Sequence, residues 1–494
     1  MFTKDIKIAV IGSGIAGLAA AIRLASQGFA VDLFEKNAAP GGKMSEIREK
    51  GFRFDTGPSL FTMPQWLEEL FSDAGHSLKE YMSYHKLDNV CRYFFADGSI
   101  INAYSDPHKF AAELEYKAGE NPENIFRYLT KSERIFNITN PVFLQKSIHI
   151  PRNYLRKDFL RAYLSLPAIR PFEKLNRVNR MSFNDPRIIQ LFDRFATYNG
   201  SNPYKTPATM MVIPHLEHNI GAFFPEGGIY HIADSVTRLA EDIGVNLHYN
   251  AKVNRIIEEG KRVRGLKVNG EVMEYDVVVS DVDIHYVYKE LLGRKALPGV
   301  WFNHERSTSA LIFYWGMGTS SPGLDVHNIL FSRDYPTEFH HLFNLKTIYK
   351  DPTVYIFISS KFVRDDAPDG KENWFVMINT PENRGQDWDE LIKAARESIK
   401  EKIRTMTGIH PDSFIEFERI LDPRSIERNT ASFGGSLYGN SSNSLWAAFR
   451  RHPNFMPGIK GLYFVGGSVH PGGGIPLCLS SAKIVSELII NKKR

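Results

Sequence analysis

The chain is 494 residues long, 43% apolar and 24% charged, with a formal net charge of +5. That length exceeds what one core organises, so two domains are expected, and the composition is that of an ordinary folded protein. The mild basic excess is too small for a nucleic-acid binder but suits an anionic membrane surface, while two cysteines, Cys91 and Cys478, exclude a disulfide framework or a paired-cysteine metal site and favour a reducing cytoplasm.

Ile6 to Ile11 reads as a buried parallel strand, too short to be the core of a signal peptide, and none is expected. Gly12-Ser-Gly14-Ile-Ala-Gly17 follows. The helix from Ile15 to Gln27 carries Ala16, Gly17, Ala19, Ala20 and Ala21, which let it lie close to a sheet, and Gly28 ends it. Ala30 to Glu35 is the second strand. In such a unit Gly12 permits the tight turn, Gly14 lets the backbone approach a pyrophosphate and Gly17 allows close helix–strand packing. The positive helix end attracts the phosphate. Glu35, eighteen residues after Gly17, stands where a carboxylate accepts hydrogen bonds from an adenosine ribose. Pro40-Gly-Gly-Lys43 offers backbone N–H groups and a charge to a second phosphate, although alone it reads equally as a loop. Asp55-Thr-Gly-Pro-Ser-Leu60 is a further turn that could pass beside a flat ring.

Met63 to Ala74 has the spacing of an amphipathic helix, with Trp66, Leu67, Leu70 and Phe71 on one side. Tyr93 to Ile101 predicts a hairpin around Asp97-Gly98. Residues 105–215 read as mostly helical, an insertion into the nucleotide domain. Val263–Val268 and Val272–Tyr275 pair around Asn269-Gly270, and Asp276 to Asp281 re-enters a buried sheet. Residues 300–380 predict a larger antiparallel sheet built from Leu311–Trp315, Thr353–Ser359 and Trp374–Asn379. Leu391, Ala395, Ile399 and Ile403 mark one face of a long helix that Gly408 ends.

Gly461 to Pro476 is an apolar strand that breaks into glycines, with a helix from Leu477 to about Ile490 behind it. Gly466-Gly467 and Gly472 to Gly474 remove side chains where a planar cofactor would lie against backbone, and Pro476 suits a first helical turn. A positive helix end there favours an anionic reduced flavin. A dinucleotide held by both chain ends points to flavin adenine dinucleotide rather than to a nicotinamide. No stretch reaches roughly eighteen uninterrupted apolar residues, so no membrane-spanning helix is expected. Lys146 to Arg180 interleaves basic residues with Phe159, Leu160, Tyr163, Leu164 and Phe172, a pattern for a bilayer interface or for a solvated helical face.

Together these segments resemble the phytoene desaturase family of carotenoid desaturases and isomerases, FAD enzymes related to amine oxidases. The resemblance rests on the opening turn, Glu35, Phe224-Pro-Glu-Gly-Gly228, Val277-Val-Val-Ser-Asp281, and His470-Pro-Gly-Gly-Gly-Ile-Pro476 with Ser481-Ala-Lys483. It implies an α/β fold, with an FAD-binding Rossmann-like domain of glutathione-reductase or amine-oxidase type and an interleaved substrate domain. The FAD-binding domain would take residues 1–75, 222–290 and 458–494. The substrate domain would take 76–221 and 291–457, with a membrane-facing helical part at about 140–180.

The resemblance further implies that FAD touches Gly12, Ile15, Ala16, Glu35, Lys43, Ser59, Leu60, Val253, Asp281, Gly467, Gly474, Ile475, Pro476 and Leu477, which join Gly14 and Gly17 of the opening turn as sixteen expected cofactor-binding residues. Val253 matches the position whose backbone meets the adenine. Lys43 stands where many members have Arg, and a point charge without the bidentate fork would hold a phosphate more loosely. Phe54 to Met63 is most similar to the branch that desaturates C-3,4 of acyclic 1-hydroxylated carotenoids. The implied reaction gives a hydride to flavin N5 and then loses a proton from the adjacent carbon. No residue is assigned as catalyst and none as a metal ligand. His470 reads as a turn residue and Cys478 as an inert buried thiol.

The implied protein is peripheral on the membrane, facing the cytoplasm. A phytoene desaturase and a redox-neutral carotenoid isomerase remain alternatives, as does a flavin-free protein of the same fold that binds prenylated partners.

Overall fold

A computed structural model describes residues 6–491. Its organising element is a five-stranded parallel sheet in the order Asn246–His248, Ala30–Phe34, Lys7–Ile11, Val277–Ser280, Leu462–Phe464. Strands in the middle of such a sheet are covered on both faces, which is why Ile8, Ala9 and Val10 are apolar without alternation and have no exposed surface. The sheet draws on three stretches of chain far apart in sequence, so the two chain ends lie two strands apart. Helix α1 (Ile15–Ala25) is buried along nearly its whole length and packs against the closing helix Ile475–Asn491, which begins two residues before the expected Leu477.

The second sheet has seven strands, in the order Ile415–Leu421, Ser309–Met317, Glu372–Thr380, Val354–Phe357, His327–Leu330, Asn89–Phe94, Ile100–Tyr104. The three strands expected between residues 300 and 380 are present, but the sheet is wider than the antiparallel unit expected. The 93–101 hairpin extends one edge, residues 415–421 form the other, and Asn89–Phe94 pairs in parallel with His327–Leu330. Alternation in sequence marks which face of a strand is apolar, not which distant strand becomes its neighbour.

All nine residues of Ser309–Met317 are buried, and successive side chains serve two cores. Leu311, Phe313 and Trp315 pack with Trp388, Ile392, Ala395 and Ile399 of the helix Trp388–Thr407. Ala310, Ile312 and Tyr314 join the core that continues into the parallel-sheet region. Leu391, expected on the inner face, is only half buried, and Ile392 takes that place.

Residues 107–220 are a succession of α-helices joined by tighter and wider turns. They close over the hairpin through Phe110, Tyr128, Phe192 and Phe195 against Tyr93 and Ile101. Among the described residues no helix is long and apolar enough to cross a membrane.

Candidate functional site

A single cavity of about 1570 Å³ runs from the glycine turns of the parallel sheet to the surface of the helical region. Fifteen of the sixteen expected site residues border it: Gly12, Gly14, Ile15, Ala16, Glu35, Lys43, Ser59, Leu60, Val253, Asp281, Gly467, Gly474, Ile475, Pro476 and Leu477. Gly17 does not. It sits behind the turn, where a Cβ would lie 2.1 Å from the Gly12 carbonyl oxygen, so its role is the close helix–strand packing expected of a third glycine.

Asp281, at the exit of strand Val277–Ser280, is wedged between the two glycine-rich ends of the chain. Its Oδ2 accepts the Gly17 N–H at 3.0 Å. A Cβ on Gly14 would stand 2.3 Å from Oδ2, and one on Gly466 2.2 Å from Oδ1. Burial pushes this carboxyl up to about 7, with the Glu35 charge adding to the effect and the Gly17 hydrogen bond opposing it. The aspartate is thus both a wall of the cavity and the joint between the opening and closing turns.

Glu35 is held before any ligand arrives. Its Oε2 accepts from Ser13 N at 3.0 Å and Ser13 Oγ at 2.9 Å, and Oε1 accepts from Asn37 N at 2.8 Å. Oε2 is thereby saturated, and Oε1 retains acceptor capacity for a ligand. Ser13 and Asn37 were not singled out in the sequence, although a serine between the first two glycines was the available signal.

Lys43 borders the cavity, and its Nζ donates to Leu437 O at 2.8 Å and lies 3.4 Å from Ser436 O. Burial lowers its pKa, and Asp283 opposes that shift. Beside it Arg306 donates to Asp283 at 3.0 Å. Burial, the largest single influence, would raise Asp283, but the Arg306 charge together with hydrogen bonds and charge from His285 outweighs it and holds the carboxyl well below the usual range.

The cradle fits a dinucleotide. Backbone without Cβ lines both turns, and Gly14 gives α1 no side-chain cap. The N-terminus of Ile475–Asn491 borders the same cavity. His470 is fully buried, and burial pushes it down to about 3, with its Nε2 2.9 Å from the Lys146 carbonyl oxygen. Cys478, expected as a buried thiol, is only half-buried and borders the cavity, although desolvation there pushes the thiol up to about 12.

Past Ser59 the lining turns apolar, with Phe136, Val142, Phe143, Ile148, Ile213 and Leu216. The lining reaches the surface at the exposed aromatic residues Tyr154, Tyr163, Phe172, Trp446 and Phe449, with Phe159 half-buried among them. One polar group interrupts this channel. The Tyr355 hydroxyl donates to Ser59 Oγ at 2.7 Å, and His327 Nδ1 lies 2.8 Å from the same phenol. Arg194 and Glu217 line the cavity as well, 3.6 Å apart. None of these four was marked by a sequence motif. They lie on separate elements and meet only in the fold. No cluster of His, Cys, Asp or Glu among the described residues could hold a metal ion.

Residues 15–490 match the family described as flavin containing amine oxidoreductase. The chain is 45% identical over 488 residues to a 1-hydroxycarotenoid 3,4-desaturase of Flavobacterium sp. (strain P99-3), covering 98% of this chain and 99% of that one. It is 33% identical to a zeta-carotene-forming phytoene desaturase of Myxococcus xanthus, covering 99% and 94%. A putrescine oxidase structure superposes with a TM-score of 0.62 at 13% identity, covering 98% and 99%, which is a likeness of fold.

Proposed function

The chain belongs to the flavin-containing amine oxidoreductases and, within them, to the carotenoid desaturases as an FAD-dependent oxidoreductase; we propose that it introduces the C-3,4 double bond of an acyclic 1-hydroxylated carotene. The observation that carries this finer reading is the 45% identity along 98% of the chain to a relative of that activity. The cavity supports it, because its apolar channel meets the glycine cradle and reaches the surface at exposed aromatic residues. At about 1570 Å³ it exceeds the roughly 300–1,000 Å³ of a site for one small ligand, as a site shared by a dinucleotide and a long hydrocarbon requires.

The cradle residues would hold the cofactor, with Gly14 and the α1 N-terminus at the pyrophosphate, Glu35 at the ribose and Val253 at the adenine. Bound FAD supplies a two-electron acceptor that takes a hydride, while the neighbouring substrate carbon loses a proton to leave the new C=C bond. The protein's part is to exclude water along the channel and to hold one end of a flexible chain against the Ser59–Leu60 turn.

We propose further that residues about 140–180 seat the protein peripherally on the cytoplasmic face of a membrane. Leu155, Tyr163, Leu164 and Phe172 are 89%, 70%, 73% and 80% exposed, and Tyr163 and Phe172 line the cavity. A substrate dissolved in lipid would then enter without crossing water.

The test is incubation of FAD-loaded protein in liposomes with a 1-hydroxylated acyclic carotene. A red-shifted product lighter by two hydrogens is expected. Conversion of phytoene but not of the hydroxylated carotene would overturn the specificity and keep the family.

A further inference from the structure

The buried polar residues that interrupt the channel leave part of their hydrogen-bonding capacity unused. Glu217 has no exposed surface, yet neither of its carboxylate oxygens has a hydrogen-bond partner among the described residues. Its neighbour Arg194 uses Nη2 to donate to the Tyr93 hydroxyl at 2.6 Å, and Nη2 lies 3.6 Å from Glu217 Oε1, too far for a hydrogen bond. Arg194 Nε is also buried without a partner. The guanidinium is pinned by the rings of Tyr93, Phe195 and Tyr198, at 5.1–5.2 Å from their centroids.

A structural ion pair would close its hydrogen bonds, because orphaned charged groups in an apolar interior are strongly unfavourable. Here Arg194 and Glu217 form a loose ion pair on the wall of a cavity, with Arg194 Nε and both Glu217 oxygens lacking hydrogen bonds and the equally unpartnered His218 Nε2 4.0 Å from Glu217 Oε2. One hydroxyl group, with one hydrogen to give and two lone pairs, satisfies both. A purely hydrocarbon chain end satisfies neither.

We propose that Arg194 and Glu217 form the subsite that receives the hydroxyl group at the polar end of the substrate, Glu217 accepting its hydrogen and Arg194 Nε donating to its oxygen. The inference rests on the desaturase reading above and deepens it by naming what selects the carotene. Placement agrees with the chemistry. In a 1-hydroxylated carotene the hydroxyl-bearing carbon is two bonds from C-3, so its subsite must lie close to the reacting end of the channel. The Arg194 and Glu217 charges both act on the Tyr355 phenol, which donates to Ser59 in the turn expected beside the flavin. Burial pushes the Glu217 carboxyl up against the pull of Arg194, and in either protonation state the carboxyl can pair with a hydroxyl.

The experiment compares kcat/KM of the holoenzyme for a 1-hydroxylated acyclic carotene and for the same carotene without the hydroxyl, both in liposomes. Wild type, Glu217→Gln, Glu217→Leu and Arg194→Met are measured, with bound flavin absorbance as the check on folding. Wild type should prefer the hydroxylated substrate. Glu217→Leu and Arg194→Met should lower that preference about 10- to 100-fold, with the loss falling on the hydroxylated substrate alone. Glu217→Gln, which keeps the shape and can accept through its amide oxygen, should retain part of the preference. Equal losses on both substrates would overturn the proposal, as would a wild type indifferent to the hydroxyl. Conversion of neither carotene by wild type would instead overturn the desaturase reading from which the proposal starts.

Discussion

Gly14 and Glu35 show why single residues of the opening turn matter differently. Gly14 has φ −64°, which any residue adopts, so its glycine is required by contact and not by conformation. A Cβ would lie 2.3 Å from Asp281 Oδ2, and Gly14→Val must therefore displace the joint between the two chain ends. The expected outcome is a folded protein purified without flavin absorbance; a full complement of flavin would contradict this account of the cradle. Glu35→Ala removes the acceptor that fixes Ser13 as well as the expected ribose contact. FAD affinity, measured by titrating apoprotein, should fall about 10- to 100-fold. Glu35→Gln should fall less, because its amide oxygen still accepts.

Among the elements, the helix Lys157–Leu164 (α2) is the least explained by the protein's own core. None of its eight residues is buried, although Phe159, Leu160, Tyr163 and Leu164 are apolar. Exposed apolar side chains on residues that line the cavity are what the proposed membrane seat would cover. If α2 enters a bilayer interface, Leu160→Glu and Leu164→Glu should each weaken binding to anionic liposomes by about tenfold or more. Turnover of liposome-borne substrate should drop in parallel while flavin content stays constant. Unchanged co-sedimentation of both variants with liposomes would remove the membrane role from this helix. Added salt should weaken binding of the wild type, through Arg152, Arg156, Lys157 and Arg161, and leave an apolar remainder.

For the whole molecule, buried ionisable groups make stability depend on pH. Asp193 is 1% exposed and accepts amide hydrogens from Asn176 at 2.6 Å and Asn179 at 2.8 Å. Burial nonetheless pushes its carboxyl up to about 7, against those two hydrogen bonds. The unfolded chain releases this proton near pH 4 and the folded chain near 7. Its contribution is therefore fully present below the unfolded pKa, falls as pH rises from about 4 to 7, and is flat above. In Asp193→Asn that slope is absent, so the stability of the variant relative to wild type should rise between pH 4 and 7. Denaturant midpoints of the holoprotein at intervals across that range check the sign; a parallel pair of curves would show that the group is not protonated in the fold.

The sequence by itself determined the nucleotide unit, because every constraint there is local or periodic. Strand, glycine spacing, Glu35 and the closing glycine run need only their neighbours in the chain to be read, and the structure places fifteen of the sixteen expected residues on one cavity. It also determined the two-residue hairpin turn at Asn269-Gly270 and the helix ended by Gly408. Only the tertiary structure decided what depends on distant segments meeting. Lys43 took the carbonyls of residues 436–437 as partners, and Asp281 became the joint between Gly14 and Gly466. The second sheet took in strands from 89–104 and 415–421. Arg194, Glu217, Tyr355 and Ser59 came onto one cavity from three separate elements and a turn, and no spacing along the chain encodes such a meeting. Propensity and periodicity act over a few residues, whereas the polarity and shape of a cavity follow from packing across hundreds.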